Sequence, residues 1–179
     1  MTSEPFRLKG DVLAETIQEF RQRHPGKCST DKVGELEVLP VDVDVSAETE
    51  DEQRAKVVKC IADESSTVAG VVAYRTVYYF FHEGLYKIES DLPRTEYVHL
   101  RKAFTERYGP PSAVKSVGYQ NGFGAHLVGE RLYWYNPVSS LAIGELDSES
   151  NNVRLVFRHK ALYSECEKAG SLKNRAGDL

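Results

Sequence analysis

The hydrophobic pattern of the chain switches between period two and period 3.6, and its densest period-two stretch is Val71 to Glu89, VVAYRTVYYFFHEGLYKIE. Branched and aromatic side chains fill it because they suit a pleated, half-buried surface. His82-Glu83-Gly84 interrupts the run with polar turn residues and a Gly able to take positive φ, so the pattern predicts two strands joined there. Apolar and acidic residues alternate again from Val33 to Val45, with Leu36, Val38, Val41, Val43 and Val45 set against Glu35, Glu37, Asp42 and Asp44. That predicts an extended strand, which Pro40 confines to an edge or breaks. Beyond Ser112 the stretches Ala113 to Tyr119, Arg131 to Tyr135, Ser140 to Leu146 and Val153 to Phe157 are separated by turn signals at Asn121 to Gly124, Asn136-Pro137 and Asp147 to Asn152. This spacing is that of an antiparallel meander.

Helical spacing appears between these runs. Pro5 to Leu8 reads as a short edge strand or lead-in, after which Asp11 is expected to cap a helix with Leu13, Ile17 and Phe20 on one face. Pro25-Gly26 should stop it near His24. Ala47 to Ala62 is expected to be helical, with acids early and lysines late as the helix dipole prefers. Asp91-Leu92-Pro93 opens a further helix that places Tyr97, Leu100, Phe104 and Tyr108 on one face and ends at Gly109-Pro110-Pro111. His159 to Lys168 predicts a closing helix with Leu162 and Cys166 together, followed by a polar tail over 171–179. The sum is one α+β domain over residues 1–170, an antiparallel sheet of about five to six strands with helices packed on one face.

Composition narrows the function classes. The 179 residues are 41% hydrophobic and 28% charged, ordinary values for a globular domain with a real core. A net charge of −4 gives no broad reason to bind nucleic acid or an anionic membrane. No apolar run approaches the ~18 residues of a spanning helix, so no transmembrane segment is expected. The start, MTSEPFRLKGD, lacks the basic and apolar regions of a leader; the expectation is a cytosolic protein or one whose leader has been removed.

Cys28, Cys60 and Cys166 leave two alternatives open. A Cys28–Cys60 bridge would pin the acidic segment between them and, on the chain-entropy model, contribute roughly 3–4 kcal/mol. Otherwise all three are free thiols.

His24-Pro25-Gly26-Lys27-Cys28, Gly84-Leu85-Tyr86-Lys87-Ile88, Arg107-Tyr108-Gly109-Pro110-Pro111 and the strand around Trp134 together resemble a broad group of uncharacterised bacterial exported domains. The resemblance spans most of the chain. It implies an α+β fold and export to the periplasm or beyond, and carries no activity with it.

Several residues invite a chemical role. His82-Glu83 suggests metal or acid-base chemistry, but H-E-x-x-H is absent and a solvated turn accounts for the pair. Asp42 and Asp44 share a strand face; without a calcium-loop pattern they read as a charged edge. Gly122-Phe123-Gly124 starts like a phosphate loop, yet Leu127 stands where the third Gly belongs. Cys166 lacks a neighbouring base and reads as a core cysteine. No metal or cofactor is expected.

The ten tyrosines remain. If Leu132 and Trp134 point inward, alternation turns Arg131, Tyr133 and Tyr135 outward, and with Tyr79 they form a Tyr and Arg patch suited to an interface. Packing under a helix is the alternative use for these rings. The functional expectation is a non-enzymatic binding or assembly module for a protein or small ligand, not nucleic acid. The competing class is an enzyme whose site gathers distant residues such as His82, His126 and Asp42.

Overall fold

The computed structural model describes residues 4–8, 10–25, 57–63, 66–120, 126–146 and 152–176. In chain order, β1 (Arg7–Leu8) pairs with β2 (Asp11–Val12), and α1 (Ile17–Arg23) follows. Next come β3 (Val57–Asp63), the small hairpin β4 (Thr67–Val68) and β5 (Val71–Val72), and the long hairpin β6 (Arg75–Phe81) and β7 (Gly84–Leu92). A 3₁₀ turn at Arg94–Glu96 leads into α2 (Tyr97–Tyr108). The meander β8 (Ala113–Gln120), β9 (His126–Tyr135), β10 (Ser139–Gly144) and β11 (Val153–His159) runs into α3 (Lys160–Ala176).

The main sheet has seven strands in the order β3-β6-β7-β11-β10-β9-β8, all antiparallel. This is the α+β architecture that alternation implies, with the sheet dominant. The last strand of the meander docks beside β7, setting Ile88 opposite Phe157, Ser90 opposite Leu155 and Leu92 opposite Val153. Alternation then puts Tyr78, Phe80, Ile88, Leu155, Phe157, Leu141, Ile143, Leu132 and Trp134 on one buried face. On this inner face Phe20 of α1 packs against Tyr78 at 4.5 Å and Phe80 at 5.4 Å. Phe104 of α2 reaches Phe157 and Trp134, whose indole N–H donates to the Gly109 carbonyl that ends the helix.

The helices do not share one face. α3 packs on the outer face, where Leu162 meets Gly84 and Tyr163 lies 6.2 Å from Tyr86. A bulge at Tyr79/Phe80 places Tyr86 and Lys87 toward this face, giving α3 an apolar landing site on Phe81 and Tyr86. α3 also continues to Ala176, through residues expected as tail, because Leu172, Lys173, Arg175 and Ala176 are good helix formers after the single interruption of Gly170.

Three further expectations change. Residues 57–62, expected at the end of a helix, form β3: Val57, Val58 and Ile61 are β-branched, and the ladder offered by β6 outweighs helical spacing. The N-cap of α1 is Thr16, not Asp11. Thr16 and Glu19 form a capping box, and the bonds from Thr16 hold the exposed Glu19 carboxyl below its usual range. In the β6–β7 turn positive φ falls on His82 and Glu83; Gly84 serves by lacking a Cβ, which would stand 3.0 Å from Leu162. The strand expected at 33–45, the helix over 47–56, the turn at 121–124 and Cys28 lie outside the described residues.

Candidate functional site

Two side-chain assemblies stand out, one on each face. On the inner side, Asp11 is 3% exposed and is the hub of the first. Its Oδ1 accepts from His24 Nε2 at 2.6 Å and lies 3.3 Å from Arg23, while its Oδ2 accepts from the Tyr78 hydroxyl at 2.9 Å. Arg23 also pairs with Glu15 and donates to the Gly10 carbonyl. Burial, then the Asp11 charge, push the Tyr78 hydroxyl far up, so it stays a donor. These donors tie the C-terminal end of α1 to β6, with Glu15 joined through Arg23, and the arrangement positions a helix.

The outer face carries the second assembly, in rows fixed by strand register. One row sets Arg75, Asp91 and Arg154 side by side, with Asp91 Oδ1 accepting from Arg154 Nε at 2.8 Å and Oδ2 lying 3.6 Å from Arg75. It continues to Gly144 and Arg131, whose Nε passes 3.5 Å from where a Gly144 Cβ would stand. The next row holds Val77, Glu89, Val156, Ala142 and Tyr133. Beyond it, at the margin of α3, stand Lys59, Tyr79, Lys87, Arg158, Ser140 and Tyr135.

The four outward-facing candidates therefore share this face. Leu132 and Trp134 are buried, and Arg131, Tyr133 and Tyr135 point outward, as alternation requires. Tyr133 and Tyr135 stack at 5.9 Å with an interplanar angle of 13°; Lys115 lies 5.6 Å over the first and Lys160 5.8 Å over the second. Tyr79 is half-buried, with Lys87 3.9 Å over its ring and its hydroxyl donating to Glu89 at 2.7 Å. Burial, followed by that bond, raises the Tyr79 hydroxyl well above its ordinary value. Burial also pushes the Glu89 carboxyl upward, but Lys87 at 3.1 Å and the Tyr79 bond outweigh it and hold the group below its usual range.

Other candidates scatter. His82 and His126 are both exposed, the first in the β6–β7 turn and the second at the far end of β9. His126 is nine residues along the strand from Tyr135, about 30 Å away at the rise of a β-strand. Asp42 lies outside the described residues. Cys166, half-buried on the sheet-facing side of α3, shares a hydrogen bond with Tyr86 and has its thiol pushed up by burial, the opposite of an activated nucleophile. Among the described residues no helix is long and apolar enough to cross a membrane.

Sequence reasoning missed both the Asp11 hub and the cations of the outer face. Thr16-x-x-Glu19 signalled the true cap and would have released Asp11 for another role. Lys59, Lys87 and Arg158 come together only through the pairing of β7 with β11. No family model matches the chain, and neither a curated protein nor a solved structure matches it.

Removing the hub tests its structural role. Asp11→Ala strands the buried Tyr78 hydroxyl and the half-buried His24 ring and is expected to cost about 3 kcal/mol, with Tyr78→Phe costing about 1 kcal/mol, in urea denaturation followed by Trp134 fluorescence. Losses within about 0.5 kcal/mol of zero for both would contradict that role.

Proposed function

We propose that the chain is a non-enzymatic binding or assembly module that engages a protein partner through its outer sheet face, with Tyr79, Arg131, Tyr133 and Tyr135 in the contact. The observation that carries this reading is the outward Tyr133–Tyr135 stack, in which Tyr135 is 46% exposed beside Lys160 while its neighbours Leu132 and Trp134 fill the core. A rigid, flat ring pair flanked by cations offers large contact area at low entropic cost. The enzyme alternative draws on His82, His126 and Asp42; His82 stands in the β6–β7 turn and His126 at the far end of β9, and the bonds of the His24–Asp11 pair favour a structural use of that histidine.

The resemblance to bacterial exported domains is carried forward as part of the proposal, together with a Cys28–Cys60 bridge. Its support is that Cys28 and Cys60 flank the acidic segment such a bridge would pin, whereas Cys166 is a free thiol. An oxidising compartment suits such a pairing.

Two experiments test these statements. With a photo-crosslinking benzophenone side chain in place of Tyr135, the full chain in its producing cells is expected to give a discrete protein adduct that Arg131→Ala weakens. The same probe at exposed Val98 of α2 should give none, and equal adducts or none from both sites would overturn the binding face. Thiol titration in denaturant of protein purified without reductant is expected to find one thiol per chain, mapped to Cys166. Three thiols would remove the bridge and the support it lends to export.

A further inference from the structure

The row at the margin of α3 crosses six strands in register, Lys59 on β3, Tyr79 on β6, Lys87 on β7, Arg158 on β11, Ser140 on β10 and Tyr135 on β9. At ~4.8 Å between strands it is about 24 Å long. Its charge is one-sided, although the whole chain is acidic. Lys87 and Arg158 are direct cross-strand partners, a placement that is unfavourable for like charges. Lys87 has Glu89 beside it, but Arg158 has no carboxylate partner among the described residues. Its Nε is buried without a hydrogen-bond partner, and its guanidinium lies 4.6 Å from the Tyr163 ring, held in place by stacking. Lys160, over Tyr135, extends the positive end.

A half-buried guanidinium with an unmet donor weakens a free domain, and its planar fork matches a carboxylate. We propose that this stripe receives an extended acidic peptide segment of a partner protein, with one carboxylate on Arg158 and others on Lys87 and Lys160. The inference rests on the outer face being the binding surface and names what it binds. An extended chain needs about seven residues to cover the stripe, with alternate side chains facing the sheet.

The aromatic residues favour a peptide over a nucleic acid. Lys87 and Lys59 sit over the Tyr79 ring at 3.9 and 5.7 Å, so the ring at the centre of the stripe is not an open platform for bases. Glu89 and Asp91 in the adjoining rows repel a continuous phosphate chain, whereas spaced carboxylates avoid them.

The test is fluorescence anisotropy of the full chain with a fluorescein-labelled peptide of alternating Glu and Ser. Saturable binding that weakens with salt is expected, with Arg158→Gln losing about tenfold in affinity, the scale of one charge-assisted bond. Arg158→Lys should recover part of that loss, since it keeps charge without the fork. Lys160→Gln, which also removes a bond to the Asn136 carbonyl and is therefore compared at matched thermal stability, should weaken binding as well, and Lys102→Gln on α2 should leave it unchanged. Absence of saturable binding, wild-type affinity in both Arg158→Gln and Lys160→Gln, or tighter binding of a single-stranded oligonucleotide of equal charge would overturn the proposal. Crosslinks at position 135 without peptide binding would remove the acidic occupant and leave the binding face standing; loss of both would remove the face itself.

Discussion

The pairing of β7 with β11 is the constraint on which the rest depends. It joins a hairpin in the middle of the chain to the end of a meander more than sixty residues later, and its register decides the facing of both halves at once. With Phe157 opposite Ile88 and Leu155 opposite Ser90, every apolar residue of the inner face meets another or a satisfied hydroxyl. Thr76 bridges Ser66 and Ser90 in a buried hydroxyl chain that closes one such position. A slip of one residue would turn Arg154, Val156 and Arg158 into the core and expose Leu155 and Phe157.

The same register gives the faces different work. The inner face is buried, mostly apolar and capped by α1 and α2, with Asp11 fastening α1 and Trp134 fastening the end of α2. Among the described residues α3 covers the outer face near Gly84, Tyr86 and Arg158, with rows of tyrosine, arginine and lysine beside the helix. With the core gathered on one side, the other carries the charges: Asp91 pairs with Arg154, Glu89 with Lys87, and Arg158 lies on the Tyr163 ring. That separation is the feature on which the proposed binding role rests.

Much of the fold was legible because period and punctuation agreed. Gly109-Pro110-Pro111 ended α2, Asn136-Pro137 turned β9 into β10, and the alternation around Trp134 oriented Arg131, Tyr133 and Tyr135. The errors arose where a distant partner decided the outcome. Val57 to Ala62 has helical spacing in isolation but becomes a strand on meeting β6, and Asp11 resembles a cap until Tyr78 and His24 reach it. The basic stripe was hidden because its members lie on six different strands, and no local pattern records which residues a register will align. Its charge is also masked in the overall balance of −4.

The most direct test of the central claim is a map of where an acidic peptide lands. In a titration of isotopically labelled protein followed by amide chemical shifts, the account predicts perturbations concentrated at Tyr79, Lys87, Arg158, Ser140 and Tyr135, with α1 and α2 silent. Perturbations centred on α1 or α2, or spread evenly over both faces, would contradict it.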